Sequence, residues 1–234
     1  MSRKAILISN PKTGRYISRR KTIQELASDL NAQGLEVELK FTAGPGDAAV
    51  LAAKAANNGS TDVIVAGGDG TINEAIQGMV GTTSRLGILP RGTANVLARE
   101  LGLPMNIDAA INIAAEGKSR RIHFGIAIDE TTNTRRHFVL MAGIGLDASV
   151  VRGVQPGLKK RIGKGAFWLS GLSHLATWNP NPFTLEIEGK RYKATFAAIG
   201  KAARYGGDLM ITPRARLDEP LFEICIIESV SRVQ

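Results

Sequence analysis

The chain has 234 residues, 44% of them hydrophobic and 22% charged, enough to bury one large core or two small ones. Its net charge of +9 favours an anionic partner: a nucleotide, a nucleic acid or an acidic membrane surface. A single cysteine excludes an internal disulfide and fits a reducing cytoplasm, and no apolar run reaches the ~18 residues that cross a bilayer.

Ala5–Ile8 is a short apolar strand ending in the polar, cationic loop Asn10–Arg15. Ile17, Ile23, Leu26, Ala27 and Leu30 mark a helix that closes at Gln33-Gly34. Leu35, Val37, Leu39 and Phe41 alternate with polar residues as a half-buried strand. The turn Thr42–Asp47 precedes an alanine-rich helix running to about Asn58. Val63–Ala66 is a third strand, and it stops at Gly67-Gly68-Asp69-Gly70. A helical pattern opens at Thr71, with Ile72, Ala75, Ile76 and Met79 on one face. Gly87–Pro90 is a fourth strand, and Arg91–Asn95 leads into a helix ending near Leu101-Gly102. Four successive strand–loop–helix units predict a Rossmann-like, doubly wound parallel sheet. All four loops fall at carboxyl ends of strands, where open α/β sheets bind ligands.

The turn at 67–70 is the chemical centre of this half. Glycines let backbone N–H groups approach an anion, and a helix N-terminus favours negative charge, so the turn suits phosphate. Asp69 is the oddity, because a carboxylate beside phosphate repels it. Three readings of Asp69 stand: a divalent cation bridges it to phosphate, it holds a sugar hydroxyl, or it caps the following helix.

A helix near Asp108–Ala115 and the basic stretch Lys118–Arg121 close the first lobe, 1–123. The pattern then becomes β-rich over 124–234. Strands are expected at Phe124–Ile128, His137–Met141, Thr184–Glu188 and Arg191–Ile199, with Glu188-Gly189-Lys190 as a hairpin turn and a sandwich as the architecture. Cys225 lies in the apolar run Leu221–Ile227 and reads as buried filler. No acidic residue occurs between Ser149 and Leu185, whereas Arg152, Lys159, Lys160, Arg161 and Lys164 precede Phe167 and Trp168. Such a segment is read either as lying on an anionic membrane surface or as a solvated loop before a core helix. With 5% aromatics and no groove-reading motif, nucleic acid is not expected as a partner. His123, His137 and His174 show no metal-ligand spacing.

Together, Asn10-Pro11-Lys12-Thr13-Gly14, Thr42 with Gly44–Ala48, Gly67–Glu74 and Gly87–Asn95 resemble the catalytic domain of the diacylglycerol/sphingosine lipid kinases, in their bacterial soluble branch. Gly143–Ala148 is similar to the family's glycine-rich turn at the start of the second domain. The resemblance implies an α/β nucleotide-binding lobe followed by a lipid-binding β-sandwich lobe. It implies an ATP- and Mg²⁺-dependent transfer of the γ-phosphoryl group to a lipid hydroxyl. Thr42, Gly67, Gly68, Asp69, Gly70, Thr71, Ile72, Asn73 and Thr93 would contact ATP, with Asp69 acting beside catalytic magnesium. Asn10, Lys12 and Asn95 would position phosphates or the lipid hydroxyl. The expected setting is a cytoplasmic enzyme meeting lipid peripherally at an anionic membrane, with a homodimer left open.

Two departures accompany the resemblance. The family's structural magnesium site implies ligands at Arg216 O, Glu219 and Leu221 O, with Asp218 as a substitute, but Glu219-Pro220 stands where an Asp-Gly pair is expected. The family's general base belongs to an Asp-Gly-Glu motif that is missing before Gln234, so the chain reads as C-terminally truncated. Rival readings are an NAD kinase-like enzyme and a catalytically impaired nucleotide- or lipid-binding protein.

Overall fold

The computed structural model describes residues 3–11, 21–145, 182–206 and 209–228. The chain packs as two units, Met1–Val139 and Leu140–Gln234.

The first unit is built on four parallel strands, β1 (Arg3–Ser9), β2 (Leu35–Phe41), β3 (Asp62–Gly67) and β4 (Arg85–Pro90), in the order β2-β1-β3-β4. Each strand after the first is reached through a crossover. Helix α1 (Ile23–Ala32) carries a capping box, in which the Thr22 side chain accepts from Glu25 N and the Glu25 carboxylate accepts from Thr22 N. The alanine-rich helix α2 (Asp47–Asn57) packs against α3 (Asp69–Met79). Their approach is close: a Cβ on Gly78 would lie 2.0 Å from Ala49 O. Short α4 (Val96–Glu100) and α5 (Ile107–Glu116) complete the helices of this unit among the described residues. Leu7, Ile64, Ala66 and Leu89 from the sheet meet Leu26 and Leu30 of α1 and Ile111 of α5 in one buried core. Every residue of β3 is buried, as a central parallel strand requires.

At the amino edge of the sheet, buried Asp62 pairs with Arg3 at 3.3 Å and Arg85 at 3.0 Å. The two arginines also donate to Ala114 O and Gly117 O, tying the end of α5 to the sheet. This clamp lies at the opposite edge from the strand-end turns.

The hairpin β5 (Gly125–Asp129) and β6 (Thr134–Phe138) belongs to the first unit. The Gln77 side chain on α3 donates to His137 O at 2.8 Å and accepts from His137 N at 2.9 Å, so a carboxamide takes the role of a neighbouring strand. The expected single strand His137–Met141 is therefore two, β6 and β7 (Met141–Gly145), and they belong to different sheets. Over 143–145 the expected glycine-rich turn is extended strand, with Gly145 at φ 83° against Thr195 O; Leu146–Ala148 lie outside the described residues.

The second unit centres on the long strand β9 (Lys190–Gly200), which pairs antiparallel with β12 (Glu223–Glu228), β7 and β8 (Phe183–Ile187). Ala194 pairs with both Glu228 and Phe183, and Phe196 with both Ile227 and Gly145. Strands β8 and β7 thus share the edge of β9 opposite β12. The hairpin expected at Glu188-Gly189-Lys190 turns on Glu188 and Gly189, at φ 48° and 77°, with Lys190 already in β9. A ribbon of β10 (Arg204–Gly206) and β11 (Leu209–Met210) completes the described strands.

Candidate active site

The strand register brings the expected site residues to one edge. Ser9 is level with Phe41 and Ala66, and Gly67 is level with Pro90. The turns that follow, 42–47, 67–71 and 91–95, and Asn10 all rise from that carboxyl edge. The sheet changes direction between β1 and β3, so Asn10 and the Gly67 turn flank the topological switch point, where such sheets form a ligand crevice.

Turns 67–71 and 91–95 touch through glycine. A Cβ on Gly92 would lie 2.5 Å from Gly68 Cα and 2.8 Å from Asn95 Oδ1, so position 92 tolerates no side chain, and one on Gly68 would press on Gly92 Cα at 3.0 Å. Arg91 N donates to Gly67 O at 3.0 Å, extending the pairing of β3 and β4 into the turns. Asn95 adopts the left-handed conformation at φ 48°. Its buried carboxamide accepts from Gly92 N at 2.8 Å and donates to Gly92 O at 3.0 Å. That makes Asn95 the closure of the turn, and it leaves exposed Thr93 at the tip.

Asp69 is the first residue of α3, two positions before the expected helix start, and Gly68 is the N-cap. The carboxylate serves a different helix. Its Oδ1 accepts from Leu97 N at 3.0 Å, in the first turn of α4. One negative charge so sits at two helix N-termini, where both dipoles favour it. Among the described residues Oδ2 has no partner. Gly70 is exposed with open space around a notional Cβ, and Thr71 and Asn73 are half-buried beside it. Ile72 is core, so any part it has in binding comes through its backbone.

The third turn is held by acids that the sequence reading left without roles. Asp47 Oδ2 accepts from Ala43 N at 2.7 Å and Gly44 N at 2.9 Å. Glu74, one turn beyond Asp69 on α3, accepts from Gly46 N at 3.0 Å and fastens the turn to that helix. Buried Thr42 is anchored by its N–H to Ser9 O at 3.0 Å. Both acids stand inside conspicuous glycine motifs, and that placement was the only signal available. Lys12, a further expected contact, lies outside the described residues, as does the basic segment around Lys159–Arg161.

The implied structural magnesium site takes another form, in the second unit. Lys201 follows the end of β9 and is 1% exposed. Its ammonium donates to Arg216 O at 2.8 Å, to Leu221 O at 3.0 Å and to Glu219 O. Burial pushes this ammonium down from the ordinary lysine value, against the opposing charges of Glu219 and Asp218. The Glu219 carboxylate pairs with Arg216 Nε at 3.1 Å, and the Asp218 carboxylate holds the same guanidinium. The three positions meet on an ammonium, through three carbonyls and no carboxylate. A divalent cation does not fit among them.

The Diacylglycerol kinase catalytic domain family matches residues 4–127, and the YegS C-terminal NAD kinase beta sandwich-like domain matches 141–234. A diacylglycerol kinase of Mycobacterium tuberculosis is 32% identical over 235 residues, 99% of this chain and 75% of its own length. One from Bacillus subtilis is 30% identical over 234 residues, 98% of this chain and 75% of its own. A YegS-like protein of Chromohalobacter salexigens is 32% identical over 213 residues, 88% of this chain and 66% of its own. The chain thus spans between about two thirds and three quarters of the length of these relatives. The crystal structure of a diacylglycerol kinase from Bacillus anthracis superposes with a TM-score of 0.71 at 24% identity, over 97% of this chain and 74% of that one, and shares the fold. Glycine turns at the switch edge of a parallel sheet, an antiparallel second unit and these matches agree: the chain belongs to the diacylglycerol kinase catalytic-domain family of lipid kinases.

Proposed function

We propose that this chain is an ATP- and Mg²⁺-dependent lipid kinase that moves the γ-phosphoryl group to a free hydroxyl of diacylglycerol or a related membrane lipid. The observation that carries the reading is the contact of Gly68 with Gly92 beside Asp69, at the carboxyl edge of β3 and β4. Side chains are absent where the turns meet, at Gly68 and Gly92, so a polyphosphate can approach the backbone N–H groups that open α3.

The residues present fit a magnesium-bound triphosphate. Magnesium keeps most of its water and takes one or two protein carboxylates plus phosphate oxygens. Among the described residues no three His, Cys, Asp or Glu side chains gather as a metal cage, and Asp69 offers one carboxylate oxygen. When bound, the ion would neutralise charge on the transferring group. The chain's own task is positioning. Asp69 is fixed by Leu97 N, the 42–47 turn by Asp47 and Glu74, and the 91–95 turn by Asn95.

The acceptor is proposed to arrive at an anionic membrane surface. The net charge of +9 and the acid-free stretch from Ser149 to Leu185 support that encounter. Among the described residues no helix is long and apolar enough to cross a membrane. The test is transfer of label from γ-³²P-ATP into diacylglycerol in mixed micelles with magnesium, with NAD offered as a competing acceptor. Labelled phosphatidic acid supports the proposal. Label in NADP alone, or ATP binding without transfer to any lipid, replaces it with one of the rival readings.

A further inference from the structure

We infer that Lys201 is the built-in cation of the second unit: its ammonium fills the carbonyl cluster of Arg216, Glu219 and Leu221, so this unit folds without a divalent ion. An ammonium has three N–H donors and no acceptor, and here three carbonyl oxygens take all three. A buried charge is tolerated when it is fully hydrogen-bonded, and this one is. Magnesium and calcium in protein sites are ordinarily held through at least one carboxylate oxygen. The two nearby carboxylates, Asp218 and Glu219, are instead held by the exposed Arg216 guanidinium. The buried Lys201 ammonium would also repel a second cation brought beside it.

The Glu219-Pro220 departure thereby acquires a physical reason. A cluster whose positive charge arrives on a side chain needs only oriented carbonyls, and proline supplies a fixed φ between Glu219 and Leu221 without needing an N–H partner. The cation is covalently attached to the end of β9, so it cannot be chelated or diluted away. It also joins the end of β9 to the 216–221 segment that leads into β12.

The test uses the full, nucleotide-free chain. Manganese binding is read by electron paramagnetic resonance in Asp69→Asn protein, which lacks the carboxylate of the nucleotide site. Melting temperature of the unsubstituted chain is read in excess chelator and in millimolar magnesium. The expected results are no stoichiometric manganese and melting temperatures that agree within ~1 °C. A Lys201→Met variant, which leaves three carbonyls without a donor, should melt ~5 °C lower or more. One tightly bound manganese ion per Asp69→Asn chain, a melting temperature that falls on chelation, or a Lys201→Met protein that melts like the parent would each overturn the inference.

Discussion

Asp69 has two tasks on its two oxygens. One oxygen caps α4 through Leu97 N, and the other has no partner among the described residues. Removing the carboxylate with alanine should therefore cost stability as well as transfer, by about 0.5–2 kcal/mol for a lost cap. Asparagine keeps an acceptor for Leu97 N while losing the charge. Lipid phosphorylation should be lost in both Asp69→Ala and Asp69→Asn, whereas the denaturant midpoint should drop only in the alanine variant. Equal midpoints would show that the Leu97 bond does not matter. Turnover retained by Asp69→Asn would show that the charge does not. The cap was half legible in the sequence: an acid after glycines at a helix start suggests one, but only the fold reveals that the helix served is α4.

Glu223 is a second residue whose environment makes a pH prediction. Burial pushes its carboxyl up, but the N–H groups of Arg214 and Ala215 and the Arg214 guanidinium together hold it below the usual glutamate range. A carboxyl depressed on folding stabilises the protein above its unfolded pKa of ~4.3 and loses that contribution as pH falls through the lower folded value. Glu223→Gln should therefore flatten the acid limb of melting temperature against pH, below ~5. A limb of unchanged slope would contradict this.

At the scale of elements, periodicity and turn chemistry made most of the first unit legible. The β-branched run before Gly67 and the alternating Leu35–Phe41 became β3 and β2, and Glu188-Gly189 made its hairpin. The split of His137–Met141 was not legible, because an apolar run carries no mark of where it changes sheets. What decides it is Gln77, a polar side chain on α3 that pairs with the His137 backbone. Gln77→Leu should loosen β5–β6 and raise hydrogen exchange at Thr134–Phe138, at a cost of about 1–3 kcal/mol for groups left unpaired. The contact between α2 and α3 was equally hidden, since glycine in a helix ordinarily reads as weakness. Alanine at position 78 would gain ~1 kcal/mol of helix propensity. Its Cβ, 2.0 Å from Ala49 O, would force the helices apart, a strain of about 1–3 kcal/mol or more. The strain should win: Gly78→Ala should lower the melting temperature and displace the 42–47 turn that Glu74 fastens to α3. A stabilised variant would mean that the helices separate freely.

At the scale of the whole molecule, the two units express different chemistry. The first gathers backbone N–H groups and one available carboxylate oxygen at the switch edge of its sheet, an arrangement for anions carrying a metal. The second closes on a tethered ammonium. The glycine motifs made the first legible; for the second, the resemblance pointed to the carbonyls of Arg216 and Leu221, but nothing in the position of Lys201 announced that an ammonium would fill them. Charge belongs to this scale too. Reversing Lys159, Lys160 and Arg161 should weaken partitioning to anionic vesicles by about 1 kcal/mol per residue brought near the surface. Partitioning that stays unchanged would make the segment a solvated one.

The central claim is that three strand-end turns form one cradle for a magnesium-bound triphosphate. Hydrogen exchange by mass spectrometry, with and without Mg-ATP, tests it most directly. Nucleotide should slow exchange together in 42–47, 67–73 and 91–95 of the parent chain, and should not do so in Asp69→Asn at the same concentration. Protection confined to one of these turns, or located elsewhere in the chain, would contradict it.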